Sequence, residues 1–402
     1  MRKTAVDLKS VGVQNEELVI QLLRRHGKLS QSEIRKLANL SSSTSSYIIG
    51  RLRKKGLILE TNGPSSRRGA KPILIEINPS GCFAVGVEIN PSSILIGLFD
   101  FDGKLVESTK AVLGVDHSPE NVCHCLEINL RGLLSKNNIG DERLGGIGVA
   151  LSGSVSKDGT VELSSPMGWK SVPLKKILEE RLNKSVKIFT TRVRLLAEIT
   201  IEPQTSYRNV LYLNVGNGVG SHAIIDGHLL HGSTSKSGEI GHIIVDPEGP
   251  RCGCGQKGCL EIFISGPAIA SRINSAIRNG QGTILTDVVS ADDIPEAIIE
   301  KWGAAIAEKD FYSVQLRSLV AEHFSRAAAI AINCYDPDVV ILGGYVAKEC
   351  FDFMAEAIYK RFETDVYDHN SRRIKIKAAS AGEDALITGA AKGVLGHSIE
   401  IS

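Results

Sequence analysis

Apolar positions at the start of the chain recur at helical spacing in three short blocks. Leu18, Val19, Leu22 and Leu23 share one face of NEELVIQLLRRHG, and Gly27 follows as a natural stop. Ser30 then opens SQSE, whose Glu33 three residues on completes a capping-box pattern, and Ile34, Leu37 and Leu40 supply the stripe of a second short helix. A third helix is predicted over residues 42–55, with Ile48, Ile49 and Leu52 inward and Ser42, Ser43, Ser46, Tyr47 and Arg51 outside. After Gly56 the segment LILETNGPSSRRGAKPILIEIN alternates as two strands around a loop that carries Arg67, Arg68 and Lys71. Three helices followed by a basic hairpin form a winged helix-turn-helix.

Beyond residue 78 the period changes. FAVGVEINPSSILIGLFDFD reads as two apolar strands around a polar turn, and LGGIGVALSGSVSKDG and NVLYLNVGNGVGSHAIIDG repeat a strand that ends in a glycine loop. Strand, glycine turn and strand in each half resemble the two-lobed ribonuclease-H-like fold of actin and hexokinase. The expected architecture is therefore α/β, with a winged helix-turn-helix over 1–78, a first lobe over 79–200 and a second lobe over 201–402.

Charge sharpens the division. Of the 402 residues, 1–72 carry 15 Lys and Arg against 5 Asp and Glu, whereas the rest carries 32 against 40. A basic head on an acidic body points to a polyanion at the head, and small hydroxyls opening the third helix suit the major groove of double-stranded DNA. Trihelical units also serve as protein-interaction modules, and the basic wing favours DNA over that reading. No run approaches the ~18 apolar residues of a membrane span, and no secretory leader is evident, so a cytoplasmic protein without membrane contact is expected.

Eight cysteines in such a chain speak against disulfides, since three of them crowd into CGCGQKGC. His242 with Cys252, Cys254 and Cys259 offers one imidazole and three thiolates, the donor set of a closed tetrahedral zinc site, so one structural Zn2+ per protomer is expected.

LSSSTSSYIIGRLRKKGLI, LSSPMGWKSVPL, VGNGVG, GEIGH with CGCGQKGCLE, and DPDVVILGG occur in this order. Together they resemble the ROK family of bacterial sugar repressors and sugar kinases, and the repressor branch in particular, because the kinases usually lack the helical head. The resemblance implies sugar contacts from Glu239, His242 and Glu261, and a homodimer or dimer of dimers on an operator. It also implies a catalytic aspartate in an Asn-Asp pair, where this chain reads KIFTTRVRLLAEIT; Thr190, Thr191 or Arg192 occupies that place, and none of these is a carboxylate. The phosphate turn reads EINPSS, with Glu88, Asn90 and Pro91 where the family has aspartate and glycines, and Met167 replaces a sugar-loop asparagine. No catalytic residue is therefore expected. The leading expectation is a sugar-responsive repressor without kinase activity; an active kinase fused to a DNA-binding head and a regulator controlled by a protein partner are the alternatives.

Overall fold

The computed structural model describes residues 8–63, 73–201, 207–230, 232–233, 236–382 and 384–395. Arg67, Arg68 and Lys71 lie outside them. Two compact units emerge, Met1–Thr205 with Ala381–Ser398, and Ser206–Ser380 with Ile399–Ser402. Among the described residues no helix is long and apolar enough to cross a membrane.

The head begins the first unit. Its helices run Leu8–His26, Gln31–Leu37 and Ser42–Lys54, and Val19, Leu23, Ile34, Ile48, Ile49 and Leu52 close its core. The predicted capping box is present: Ser30 Oγ accepts the Glu33 N–H at 3.3 Å, and Glu33 Oε2 accepts the Ser30 N–H at 2.7 Å. Strands Ile58–Asn62 and Ile73–Ile77 pair antiparallel, with Leu29–Ser30 on the far side of the second, giving the sheet of a winged helix. Leu37, expected inside, is 49% exposed because its helix ends there and Leu40 turns inward instead.

Each body lobe carries a five-stranded sheet of the same plan. In the first unit, Phe83–Asn90, Ser93–Asp100 and Leu105–Val112 form an antiparallel meander, and Leu144–Leu151 and Val186–Thr190 extend it in parallel beyond its first strand. The second unit repeats this with Val210–Val215, Val219–Ile225 and His228–Leu229, followed by Val339–Gly343 and Lys375–Ala378. The repeated order is the ribonuclease-H-like topology that the strand and glycine pattern predicts. Each sheet buries its apolar side under helices, around Val85, Ile96 and Leu126 in the first unit and Leu213, Trp302 and Phe324 in the second.

The last helix, Ala385–Val394, corrects the expected division. Sequence order places it in the second lobe, yet it belongs to the first unit. It lies on the sheet at backbone distance. A Cβ on Gly86 would stand 1.8 Å from the Ile387 carbonyl oxygen, one on Gly148 2.2 Å from that of Ala390, and one on Gly389 1.9 Å from that of Val193. Only glycine fits where two backbones touch in this way. Arg24, at the end of the head's first helix, reaches the same place, donating Nη2 to the Phe101 carbonyl at 2.7 Å and Nη1 to the Leu395 carbonyl at 3.2 Å. Its guanidinium lies 4.9 Å from the Phe101 ring centroid, and burial lowers its pKa to about 10, which leaves it charged at neutral pH.

Gly389→Ala should therefore destabilise the first unit by about 2–4 kcal/mol, since the new methyl meets backbone that has nowhere to move. Urea unfolding followed by fluorescence measures this, and an unchanged midpoint would contradict the packing described.

Candidate nucleic-acid interface and metal centre

The third helix starts where Ser41 Oγ accepts the Thr44 N–H at 3.1 Å. Its inner face is fixed by Ile48, Ile49 and Leu52, so Ser42, Ser43, Ser46 and Tyr47 must face out; Tyr47 is 63% exposed. Two of the predicted contacts are braced rather than free. Ser46 Oγ donates to the Ser42 carbonyl at 3.0 Å and accepts from Gln31 Nε2 at 2.7 Å. Arg51 Nε forms an ion pair with Glu16 at 2.8 Å, and its guanidinium lies 5.7 Å from the Tyr47 ring centroid. Glu16 also accepts from Lys55 Nζ at 2.7 Å, although its own side chain is only 8% exposed.

Sequence reasoning missed Glu16 and Gln31. Glu16 carried a signal, for it precedes Val19 and Leu23 by three and seven residues and so stands as a carboxylate on the inward stripe of the first helix. Buried there, it needs cations, and the third helix and its C-cap supply Arg51 and Lys55. The exposed surface of the third helix is thus polar, aromatic at Tyr47, and basic toward its end with Arg53 and Lys54. Such a surface can meet phosphates and base edges.

In the second unit His242, Cys252, Cys254 and Cys259 converge, with one ligand atom from each and all four within 4.8 Å of one another. Cys254 Sγ lies 3.5 Å from Cys259 Sγ, and Cys252 Sγ lies 3.8 Å from His242 Nδ1. Two sulfurs each ~2.3 Å from one tetrahedral ion stand about 3.8 Å apart, so the donor spacing fits a metal centre. The loop closes because the Cys252 N–H donates to the Gln256 carbonyl at 2.7 Å and the Gly258 N–H to the Pro250 carbonyl at 2.9 Å. Gly258 adopts φ +70°, and a Cβ there would stand 1.5 Å from the Asp246 carbonyl oxygen. Burial pushes the Cys259 thiol up to about 12, a cost that a bound cation reverses by holding the thiolate. The cluster can hold a metal ion.

Glu239 and Glu261 flank this loop differently. Glu239 is exposed, and its carbonyl accepts the His242 N–H at 3.1 Å, so carboxylate and metal donor share one tight turn. Glu261 is half-buried and its Oε2 accepts the Val219 N–H at 3.0 Å, which ties it to the glycine turn at residues 215–220. That turn is further held by Tyr345 Oη donating to Asn217 Oδ1 at 2.8 Å, and the Ser221 N–H joins it to the Gly238 carbonyl at 2.7 Å.

The first unit treats its family-type positions as interior. Met167 is 4% exposed within the apolar core, and Arg192 is 6% exposed beside Thr190 and Thr191 where a strand ends. Burial raises the Glu88 pKa, opposed by the charge of Arg194 and the hydrogen bond from Asn90, whose Nδ2 donates to Glu88 at 3.4 Å. Of the cysteines outside the cluster, Cys123 and Cys350 are buried, Cys82 and Cys125 half-buried, and Cys334 exposed.

Residues 84–396 match the model of the ROK family, more than three-quarters of the chain. The chain belongs to the ROK family. Residues 14–69 match the MarR family, which covers the helical head. Among curated relatives, the xylose repressor of Bacillus subtilis (strain 168) is 22% identical over 96% of this chain and 96% of its own length. The DNA-binding transcriptional dual regulator NagC of Escherichia coli (strain K12) is 28% identical over 83% of this chain and 81% of its own. A solved ROK family transcriptional regulator, a homologue of the E. coli MLC protein, superposes with a TM-score of 0.84 at 23% identity, covering 97% of this chain and 96% of its own. A ROK glucokinase from Streptomyces griseus, solved with glucose and AMPPNP, reaches 0.63 at 25% identity over 77% of this chain and 98% of its own. ROK kinases thus match the body, whereas the regulators match head and body together.

Glu16→Gln should loosen the head, because it removes the charge that two partly exposed cations share; the loss is about 1–2 kcal/mol after solvent screening of those partners. A melting temperature equal to that of the wild type would show that the brace carries no stability.

Proposed function

We propose that this chain is a cytoplasmic transcriptional repressor of carbohydrate genes, which binds operator DNA through its winged helix and a sugar or sugar derivative through its ROK body. The observation that carries this reading is one chain with a MarR-type head, whose third helix exposes a polar and basic face, on a ROK body that aligns over nearly its full length with repressors. Ser42, Ser43, Ser46, Tyr47 and Arg51 would meet the major groove, Tyr47 directly and Arg51 from its brace on Glu16, while Arg67, Arg68 and Lys71 of the wing loop would hold phosphates or the minor groove. Two heads in a symmetric homodimer or dimer of dimers would require an inverted repeat.

Glu239, His242 and Glu261 are the sugar-side residues in this reading, with the carboxylates accepting hydroxyl hydrogen bonds and the histidine tying the effector to the metal loop. Zinc is the metal that three thiolates and an imidazole favour, in a structural role that contributes folding free energy directly. Kinase chemistry has no place in it, because Thr190, Thr191 and Arg192 stand where a carboxylate base belongs and Arg192 is buried.

Protein purified without added metal should contain one zinc per protomer by elemental analysis, and Cys254→Ala should lower the unfolding midpoint of the second unit. Because the ligands must lose their protons to bind, zinc should be released as pH falls below neutral. A metal-free protein with the wild-type midpoint would contradict the assignment.

On DNA, Arg68→Ala should weaken binding to operator and random duplex alike and flatten the salt dependence by about one unit of slope, as expected for one lost phosphate contact. Tyr47→Ala should act mainly on the operator, with about 1–3 kcal/mol lost per base contact. Fluorescence anisotropy at several salt concentrations separates the two, and equal losses on both duplexes for Tyr47→Ala would deny the third helix a role in reading sequence.

A further inference from the structure

The second unit holds an open cavity that none of the sites above uses. Its walls are helices Gly266–Arg278 and Phe311–Tyr335, and about 460 Å³ lies between Ser271, Arg272, Ser275, Asn279, Tyr312 and Gln315. Ser271, Ser275 and Asn279 recur every four residues along the first wall, where the Ser275 hydroxyl donates to the Ser271 carbonyl at 2.8 Å and accepts from Arg278 Nη2 at 3.1 Å. Tyr312 and Gln315 face them from the second. Ala276, Leu316 and Leu319 complete the lining with apolar surface, and among the described residues Arg272 is the only charged group in it.

Arg272 is held in place without being neutralised. Its guanidinium lies 5.2 Å from the Phe263 ring centroid, and Phe263 in turn stacks on His323 at 4.5 Å. The Tyr312 hydroxyl donates to the Arg272 backbone carbonyl at 3.2 Å, which fixes the wall from the other helix. Among the described residues no ion pair is made by Arg272, whereas the neighbouring Arg326 pairs with Glu322 at 3.5 Å. A planar, preoriented fork of donors beside two side-chain amides, with no acid in the lining, matches the needs of a tetrahedral oxyanion.

We propose that this cavity binds the phosphoryl group of a small phosphorylated metabolite through Arg272, with Asn279 and Gln315 taking its remaining oxygens or hydroxyls. The site is separate from Glu239 and Glu261 but touches the same framework. Phe263 follows Glu261 by two residues, and a Cβ on Gly249 of the metal loop would stand 2.9 Å from the tip of the Phe263 ring. Occupation of the cavity is thereby felt at the ring that supports the metal loop. The proposal does not depend on the chain being a repressor, since it concerns binding to the free protein.

Thermal denaturation and calorimetry of the full chain with inorganic phosphate and glycerol 3-phosphate test it, against glycerol and against chloride at equal ionic strength. The wild type should be stabilised by both phosphates and by neither control, because a ligand that binds only the folded state raises its melting temperature. Arg272→Gln should weaken the apparent affinity for glycerol 3-phosphate about tenfold or more, the loss of one charge-assisted contact, and Arg272→Lys should retain part of it. Should Arg272→Gln fail to fold, Asn279→Asp at the exposed helix end gives the same reading, for its carboxylate repels the ligand and removes the response. A phosphate response no greater than that of chloride, or one that persists undiminished in folded Arg272→Gln or Asn279→Asp, would overturn the proposal.

Discussion

The contact between helix Ala385–Val394 and the first sheet is the constraint on which the first unit depends. The chain leaves that unit after Thr205, builds the whole second unit, and returns at Ala381 to complete what it began. Completion is at backbone distance, through Gly86, Gly148 and Gly389, so the helix has no freedom to slide to a different register. Its far end offers the Leu395 carbonyl to Arg24 of the head, and the same guanidinium takes the Phe101 carbonyl of the sheet. Head, sheet and returning helix are therefore joined at one half-buried cation. The seat of the head's first helix is thereby tied to the position of the returning helix.

A second fixed point lies in the metal loop. Glycines let the loop fold sharply enough to bring three sulfurs and an imidazole together, and the backbone amide of His242 is bonded to Glu239 in the same turn. Glu261 runs from the loop's end to the glycine turn around Asn217. The candidate metal donors and the two carboxylates, Glu239 and Glu261, consequently share one framework. In the first unit, by contrast, Met167 and Arg192 are buried.

What was legible in the sequence was local. The capping box at Ser30, the inward face of the third head helix, the strand and glycine repeats and the spacing of Cys252, Cys254 and Cys259 are all set within a few residues of one another, and the structure reproduces them. Pairings across long stretches were not legible. Glu16 meets Lys55 39 positions away, and Arg24 meets Leu395 371 positions away; neither pairing has a periodic signature. The returning helix belongs with the first lobe for the same reason: sequence order places it with its predecessor, and only the packing of glycines reveals its partner. Leu37 looked like core because it kept helical spacing, and solvent took it because the helix stopped. The cavity beside Arg272 joins helices separated by more than thirty residues and leaves no motif at all.

The central claim is that the head reads DNA on behalf of the ROK body, and a genome-wide footprint in the native cell tests it most directly. The account predicts discrete sites built on an inverted repeat, near genes of carbohydrate metabolism, that are lost when Tyr47 is changed to alanine and regain occupancy only when the wild-type head is restored. A footprint indistinguishable from that of a chain lacking residues 1–78 would contradict it, and would make the trihelical head a surface for protein rather than for DNA.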